Sequence, residues 1–386
     1  MKRIALCVLI LSIGMPLRAS WRDDVGLGGY VREMPIGWKP PVFLAPTEEY
    51  RFDNIVHGRV NFRGSYGSSF RAALELKSRL FSGSSPETML AETDESSRGT
   101  TYFDWTRAFA RREHLVWVGS IDRAWLDWTA GAFETTVGRQ RIAWGTGLVW
   151  NPIDLFNPFS PLDFDNDERP GTDAGRLEWY LAPNSRVEFA IAPQRTADST
   201  TAAVLVKFNR AGYDWIMIGG RKASRRVLGA AWAGSILGGG FRGELRYDAP
   251  RSTTARAVSG LTGTLDGDYT FRSTLYLHAA LLYRSLGVTG PAGGAALLES
   301  LKRGFLGPSR LGVFGEAARD ITPLVRADCQ GMFNPFDRSW YLGPSLTWSA
   351  LADLDLTVMG LIFGGASGTE FGDVGDLFML RAKYSY

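Results

Sequence analysis

Cysteine and histidine are nearly absent from these 386 residues: there are two of the former, Cys7 and Cys329, and three of the latter, His57, His114 and His278. Two cysteines exclude a disulfide-stapled scaffold, and three histidines far apart in sequence give no metal-ligand spacing. No Cys-x-x-Cys-His occurs, so the chain holds no c-type haem covalently. Gly-Lys-Ser and Gly-Lys-Thr are missing, which excludes a phosphate loop. Beyond residue 20 no apolar run approaches the roughly 20 residues of a membrane helix, so a helical span is excluded. A span built from strands is not. Net charge is also small, +3 from 43 basic and 40 acidic residues.

That small surplus sits in the first segment. Lys2 and Arg3 precede an apolar run from Ile4 to Ile13, followed by Gly14, Pro16 and Ala19, the pattern of a secretory signal peptide cleaved near Ala19. The run is shorter than the roughly 18 residues of a membrane anchor. Cys7 lacks the small residues that precede an acylated cysteine, which speaks against a lipoprotein. Residues 1–19 contain Lys2, Arg3 and Arg18 and no acid, so removing three of the 43 leaves 40 basic against 40 acidic residues. A neutral mature chain gives no support for nucleic-acid binding.

What is present is alternation. Phe70, Ala72, Leu74, Leu76 and Leu80 interleave with Arg71, Glu75, Lys77 and Arg79, a period of two with one apolar and one charged face. Phe241, Gly243, Leu245 and Tyr247 likewise oppose Arg242, Glu244 and Arg246, and Val325, Ala327, Cys329 and Phe333 oppose Arg326 and Asp328. A soluble β-sandwich also alternates. Against it stand Phe378, Leu380, Ala382, Tyr384 and Tyr386, every second residue to a terminal aromatic, and Trp128, Trp144, Trp179, Trp215, Trp340 and Trp348 near strand ends, where interfacial girdles lie.

Eighteen alternating segments run from 26–34 to 375–386, with 16 as the alternative count. Among them, the first, 26–34, and 115–128 are the least regular, and 255–264 and 269–285 stand as two separate strands. The fold class expected is all-β: residues 20–386 as one transmembrane antiparallel β-barrel. Its long connections, 35–52, 82–114, 145–174, 286–309 and 364–374, then fall at one end, extracellular, with short periplasmic turns opposite. Pro183, Asn184 and Ser185 mark one such turn, and Asp266, Gly267 and Asp268 another. In 133–144, Phe133, Thr135 and Val137 share a phase with Arg139 and Arg141; a bulge near Gly138 would repair it. Residues 292–302 read as a short helix in a loop. Gly238, Gly240 and Gly243 match the dinucleotide fingerprint by letter, but no helix follows, so they mark a turn.

A barrel of 16 to 18 strands is too wide for side chains to fill, so a water channel is expected unless something occupies it. Its pore-lining set would be Arg71, Glu75, Lys77, Arg79, Arg242, Glu244, Arg246, Arg326 and Asp328. A wall mixed in sign solvates polar solutes without strong charge preference; alternatively these residues only pair with one another. The connection after the fifth segment carries Asn151-Pro152, Asn157-Pro158, Ser160-Pro161 and Arg169-Pro170 among Trp150, Leu155, Phe156, Phe159 and Phe164. Such a loop either folds inward as a constriction, with Trp150, Asp154, Phe156, Phe159, Asp163, Asp165 and Asp167 as its candidate residues, or packs as an outer cap. Asp163, Asp165 and Asp167 have calcium-loop spacing, but Glu168 stands where glycine is needed and Ala174 where the bidentate glutamate belongs.

The runs VGRQRIAWG from Val137 to Gly145, WNPIDLFNP from Trp150 to Pro158 and ERPGTDAGRLEWYL from Glu168 to Leu181 resemble bacterial outer-membrane porin-like proteins. In these a Gly-Arg-Gln and Trp-Gly strand precedes an Asn-Pro-rich loop. The resemblance covers about 45 residues. It implies a barrel in the outer membrane of a Gram-negative bacterium; the residues themselves offer no metal or cofactor site, and with His57 and His278 both facing the expected lumen no catalytic residues are expected, a barrel enzyme being a further alternative. Passive passage of small hydrophilic solutes is the expected role, with outer-membrane lipid and a small polar solute as partners. A sheath around a multihaem cytochrome and a polysaccharide export channel remain the alternatives.

Overall fold

The computed structural model describes residues 25–42, 49–88, 102–157, 170–196, 198–251, 258–302 and 307–386. The expected signal peptide lies outside them. Nineteen strands follow in order: β1 (Val25–Trp38), β2 (Arg51–Tyr66), β3 (Phe70–Gly83), β4 (Thr106–Arg112), β5 (Leu115–Ala130), β6 (Phe133–Gln140), β7 (Thr172–Ala182), β8 (Ser185–Ala192), β9 (Thr201–Arg210), β10 (Tyr213–Lys222), β11 (Arg225–Ile236), β12 (Gly239–Pro250), β13 (Gly260–Thr270), β14 (Tyr276–Arg284), β15 (Leu311–Thr322), β16 (Val325–Phe333), β17 (Trp340–Leu351), β18 (Leu354–Gly364) and β19 (Leu377–Ser385). A helix, α1 (Gly294–Lys302), lies between β14 and β15, on residues the sequence marks as helical.

Every pairing is antiparallel, and β1 pairs with both β2 and β19, which closes the sheet. Eighteen strands form the ring, because β4 does not add a position of its own. The upper part of β5, Leu115–Ser120, pairs with β4, and its lower part, Ala124–Ala130, pairs with β6 on the same side. At the closing seam the Tyr386 N–H and carbonyl both bond to Gly29, at 3.0 Å. A Cβ on Gly29 would lie 2.1 Å from the Arg59 carbonyl oxygen, so only glycine fits there.

Closure satisfies every ladder group internally, and the side-chain phase then divides the wall. Phe70, Leu74 and Leu76 on β3 and Leu245 and Tyr247 on β12 are exposed, while Glu75, Lys77, Arg79 and Glu244 are buried on the inner face. Trp128, Phe133, Trp179, Trp215 and Trp348 stand exposed at the short-turn end, with Phe133 stacked on Trp179 at 5.9 Å. Trp144 does not join that girdle: it is buried inside the barrel, where its Nε1–H donates to Glu188 at 2.7 Å.

Three sequence expectations need correction. Residues 133–144 do not form one strand; β6 stops at Gln140. The pairings of β6 run without a register shift, so there is no bulge at Gly138, although that glycine takes a positive φ of 118° within the paired strand. Asp266-Gly267-Asp268 is no turn but the middle of β13, and the connection falls at Phe271–Leu275. The acids that resemble turn formers point inward to Arg242 and His278. The connection at 82–114 contains β4.

Candidate functional site

The chain leaves the wall after Gln140 and returns at Thr172. A buried clasp holds the two ends together. Arg139 forms a two-pronged pair with Asp173, Nε to Oδ1 at 2.8 Å and Nη2 to Oδ2 at 2.9 Å, and also donates to the carbonyls of Ile121 (2.9 Å) and Phe103 (2.5 Å). Asp173 in turn accepts the N–H groups of Tyr102 and Phe103, at 2.8 and 2.9 Å. Trp105 lies 4.8 Å from the guanidinium. Arg139 and Asp173 share the outward phase of Val137 and Leu177, and the segment leading into β4 covers them. The phase break legible in the sequence is therefore a real feature, answered by the cover rather than by a bulge. Gln140 Nε2 bonds the carbonyls of Thr136 and Ala174, and Asn157 bridges Ile142 N–H (2.8 Å) to the Pro170 carbonyl (2.5 Å).

From this clasp residues 141–157 run along the inside of the barrel. Glu244 on β12 accepts three of their backbone N–H groups, from Thr146 at 2.5 Å and from Gly147 and Ile153 at 3.0 Å, and the Thr146 hydroxyl at 3.2 Å. Asp266 on β13 accepts Leu148 N–H at 3.0 Å, and Arg246 donates to the Pro152 carbonyl at 2.5 Å. Trp150 is buried edge-on to Phe314 of β15, with ring centroids 6.3 Å apart. From β6 to β15 is nine steps around the eighteen, so the loop reaches the far side of the ring. Asp154 caps its own turn by accepting Asn157 N–H at 3.0 Å, and Phe156 packs edge-on to Trp144 at 4.9 Å. Phe159, Asp163, Asp165 and Asp167 lie outside the described residues.

The wall beneath the loop is adapted to it. Ile142, Trp144, Ile153, Leu155 and Phe156 share one apolar cluster with Ala174, Ala190, Ala192, Ala203, Leu205, Ile216, Ile218, Val227 and Ala231. Strands β8–β11 are thus apolar on both faces, with small inner residues where the loop needs room. Elsewhere the inner face is charged, and many of its charges are paired. On β2, β3 and β5, Arg59 bonds Glu75 and Asp122 (2.7 Å to the latter), Arg123 lies 3.4 Å from Glu75, and Lys77 lies 3.7 Å from Asp122. Buried Arg79 lies over the Phe81 ring. Near the short-turn end Arg71 pairs with Asp127 (2.8 Å) and Glu134 (2.9 Å). Across the barrel Arg242 pairs with Asp266 and Asp268, His278 lies 3.1 Å from Asp266 and 3.4 Å from Glu316, and Asp328 shares the inward phase of Arg326, which is exposed and pairs with Asp320 at 3.1 Å. The middle of the β1–β5 arc carries five cations, Arg32, Arg59, Lys77, Arg79 and Arg123, around Glu75 and Asp122. Acids predominate on the arc β12–β16.

The nine residues expected to line the pore take the inward phase of their strands, and of these Glu244 and Arg246 hold the loop. Arg59, Asp122, Arg123, Asp266 and Glu188 were not among the expected set. Arg59 was accessible from the phase of its strand. Asp122 was not: it is the extra residue where the β3–β5 register shifts at Glu75/Leu76, and that shift exchanges inward and outward positions along β5.

No family model and no curated protein matches this sequence. Solved structures share its fold. Acinetobacter baumannii OccAB2 superposes with a TM-score of 0.60 at 10% identity, over 95% of this chain and 99% of the other. Pseudomonas aeruginosa OccK7 (OpdD) gives 0.59 at 9% identity, over 95% and 99%. Pseudomonas aeruginosa OpdK, solved with vanillate, gives 0.57 at 10% identity, over 93% and 98%. These matches establish the closed barrel.

The long-loop end carries a second buried cluster. Glu370 accepts hydrogen bonds from Ser309 and from Asn334 Nδ2 (2.9 Å), while its N–H donates to Asp337 at 2.7 Å, so three connections meet. Burial pushes the Glu370 carboxyl up to about 8, Asp337 adding to the rise against the opposing pull of Asn334 and Arg284. An acid raised in the folded state binds more protons there than when unfolded, so its contribution falls as pH rises from its ordinary value of 4.5 to about 8. The midpoint of thermal unfolding is expected to decline across that window relative to Glu370→Gln, in which this dependence is absent. Parallel pH profiles of the two proteins would contradict the assignment.

Proposed function

We propose that the chain is an outer-membrane channel for passive passage of small hydrophilic solutes, narrowed by residues 141–157. The observation that carries it is the loop: anchored from β6 to β15 inside a closed 18-strand ring with an apolar exterior, it divides a lumen too wide for side chains to fill. Charged walls lower the cost of removing a polar solute from bulk water. Arcs of unlike sign would orient a dipolar solute between them, and a carboxylate, such as the vanillate present in the OpdK structure, would lie toward the guanidinium-rich arc. A lumen already crossed by the chain's own loop favours this role over a sheath for a multihaem cytochrome or a polysaccharide exporter.

Purified protein in planar bilayers is expected to give steady, ohmic single-channel current without added ligand. Electrical silence together with co-purifying haem absorbance would overturn the channel assignment.

A further inference from the structure

Among the described residues the outer face of the β10–β11 hairpin carries a pair of like charges that no acid of the barrel neutralises. Arg221 and Arg226 are direct cross-strand partners at the end of the β10–β11 hairpin. Met217 and Leu228 are 53% and 63% exposed on the same two strands, while Ile218 and Val227 are buried against the inward loop. Arg221 is in phase with Met217 and Arg226 with Leu228, so both guanidinium groups leave the outer wall. Like charges directly opposite in an antiparallel pair repel. Among the described residues neither arginine has an ion-pair or hydrogen-bond partner.

Their height is also defined. Leu228 pairs with Tyr247, an exposed aromatic on the neighbouring strand. The arginine pair stands one outward-facing residue farther toward the long-loop end, a rise of about 6–7 Å along a strand. In an outer-membrane barrel an exposed aromatic such as Tyr247 belongs to the interfacial girdle, and the level just beyond it is that of the headgroups. Ala202 pairs with Arg221 and Ala249 with Arg226, so the flanking positions on β9 and β12 are both short. Arg251 reaches the same turn, donating its N–H to the Ser224 carbonyl at 2.9 Å, with its guanidinium 3.6 Å from Asp198.

We propose that Arg221 and Arg226 bind the phosphate group of an outer-leaflet lipid headgroup, clamping one lipid against the β10–β11 edge of the barrel. The inference rests on the outer-membrane reading above. Two guanidinium forks facing one tetrahedral dianion exchange mutual repulsion for charge-assisted, bidentate hydrogen bonds. The acyl chains would then descend over Leu228, Gly219 and Met217.

The test uses full-length protein in nanodiscs containing either phosphorylated lipopolysaccharide or the same lipid after enzymatic dephosphorylation, with lipid bound per barrel counted by native mass spectrometry. Wild type is expected to retain the phosphorylated form about tenfold better than R221Q/R226Q, with no difference between proteins for the dephosphorylated form. R221K/R226K should fall between them, because ammonium groups keep the charge but lose the fork. Equal retention by wild type and R221Q/R226Q would overturn the proposal. So would equal retention of both lipid forms by wild type, a comparison that needs no variant to fold. Full displacement by inorganic phosphate would assign the pair to a free anion instead of a lipid. Membrane fractionation tests the outer-membrane reading separately: a barrel absent from that membrane fails the premise, whereas a resident barrel that does not discriminate phosphate fails only this inference.

Discussion

Deleting residues 152–168 is expected to raise single-channel conductance about threefold, because a ring of this size without an inner loop leaves an open aqueous channel. The deleted stretch includes Ile153, whose N–H Glu244 accepts, and Leu155 and Phe156, which fill the cluster over β8–β11. Glu244→Ala gives the graded form of the same result. It leaves three loop N–H groups without their carboxylate, each costing about 1–3 kcal/mol when buried and unsatisfied. The loop should detach from β12 while the wall stays closed, giving larger and noisier currents in planar bilayers than wild type. Glu244→Gln keeps one acceptor oxygen and should lie between them. Unchanged conductance in the deletion would mean that the solute path bypasses the loop.

Asp173→Ala is expected to cost about 3–5 kcal/mol of barrel stability, the range for removing one partner of a buried ion pair. The loss is large because Asp173 accepts four hydrogen bonds: both prongs of Arg139 and the N–H groups of Tyr102 and Phe103. Without it a guanidinium is left beneath Trp105 on the lipid-facing phase, and the seam between β6 and β4 loses its cover. Urea unfolding of the refolded protein, followed by tryptophan fluorescence and by mobility on unboiled gels, measures the effect. Replacing Arg139 and Asp173 together by Met and Leu should recover most of it, since two apolar side chains of similar volume leave no charge stranded. A single variant as stable as wild type would show that water reaches Arg139.

The same clasp explains why Gly-Arg-Gln, Asn-Pro and Gly-Thr-Asp stand where they do. Gly138 supplies the positive φ, Arg139 and Asp173 tie exit to return, Gln140 holds the last rungs, and Asn157 fastens the base of the loop. The apolar runs of β8–β11 carried a further signal. FAIA, AAVLV, WIMIG and VLGAAWA lack the polar phase of β3 and β12, and a strand with two apolar faces must have its inner face covered. That absence locates the loop against this arc, opposite the charged walls.

By itself the sequence determined the barrel, a strand number of 18 or 16, which end bears the long connections, and which phase of β3, β12 and β16 faces water. Those features follow from a period of two and from turn chemistry, both local along the chain. Only the tertiary structure decided that the wall position above β6 is filled by β4, that Asp122 shifts the phase of β5, that Asp266–Asp268 is strand, and that residues 141–157 lie inside. Each depends on which distant groups meet, Arg139 with Phe103, Glu75 with Arg59, Glu244 with Thr146. The energy of a buried charge is set by those partners and not by its neighbours in sequence.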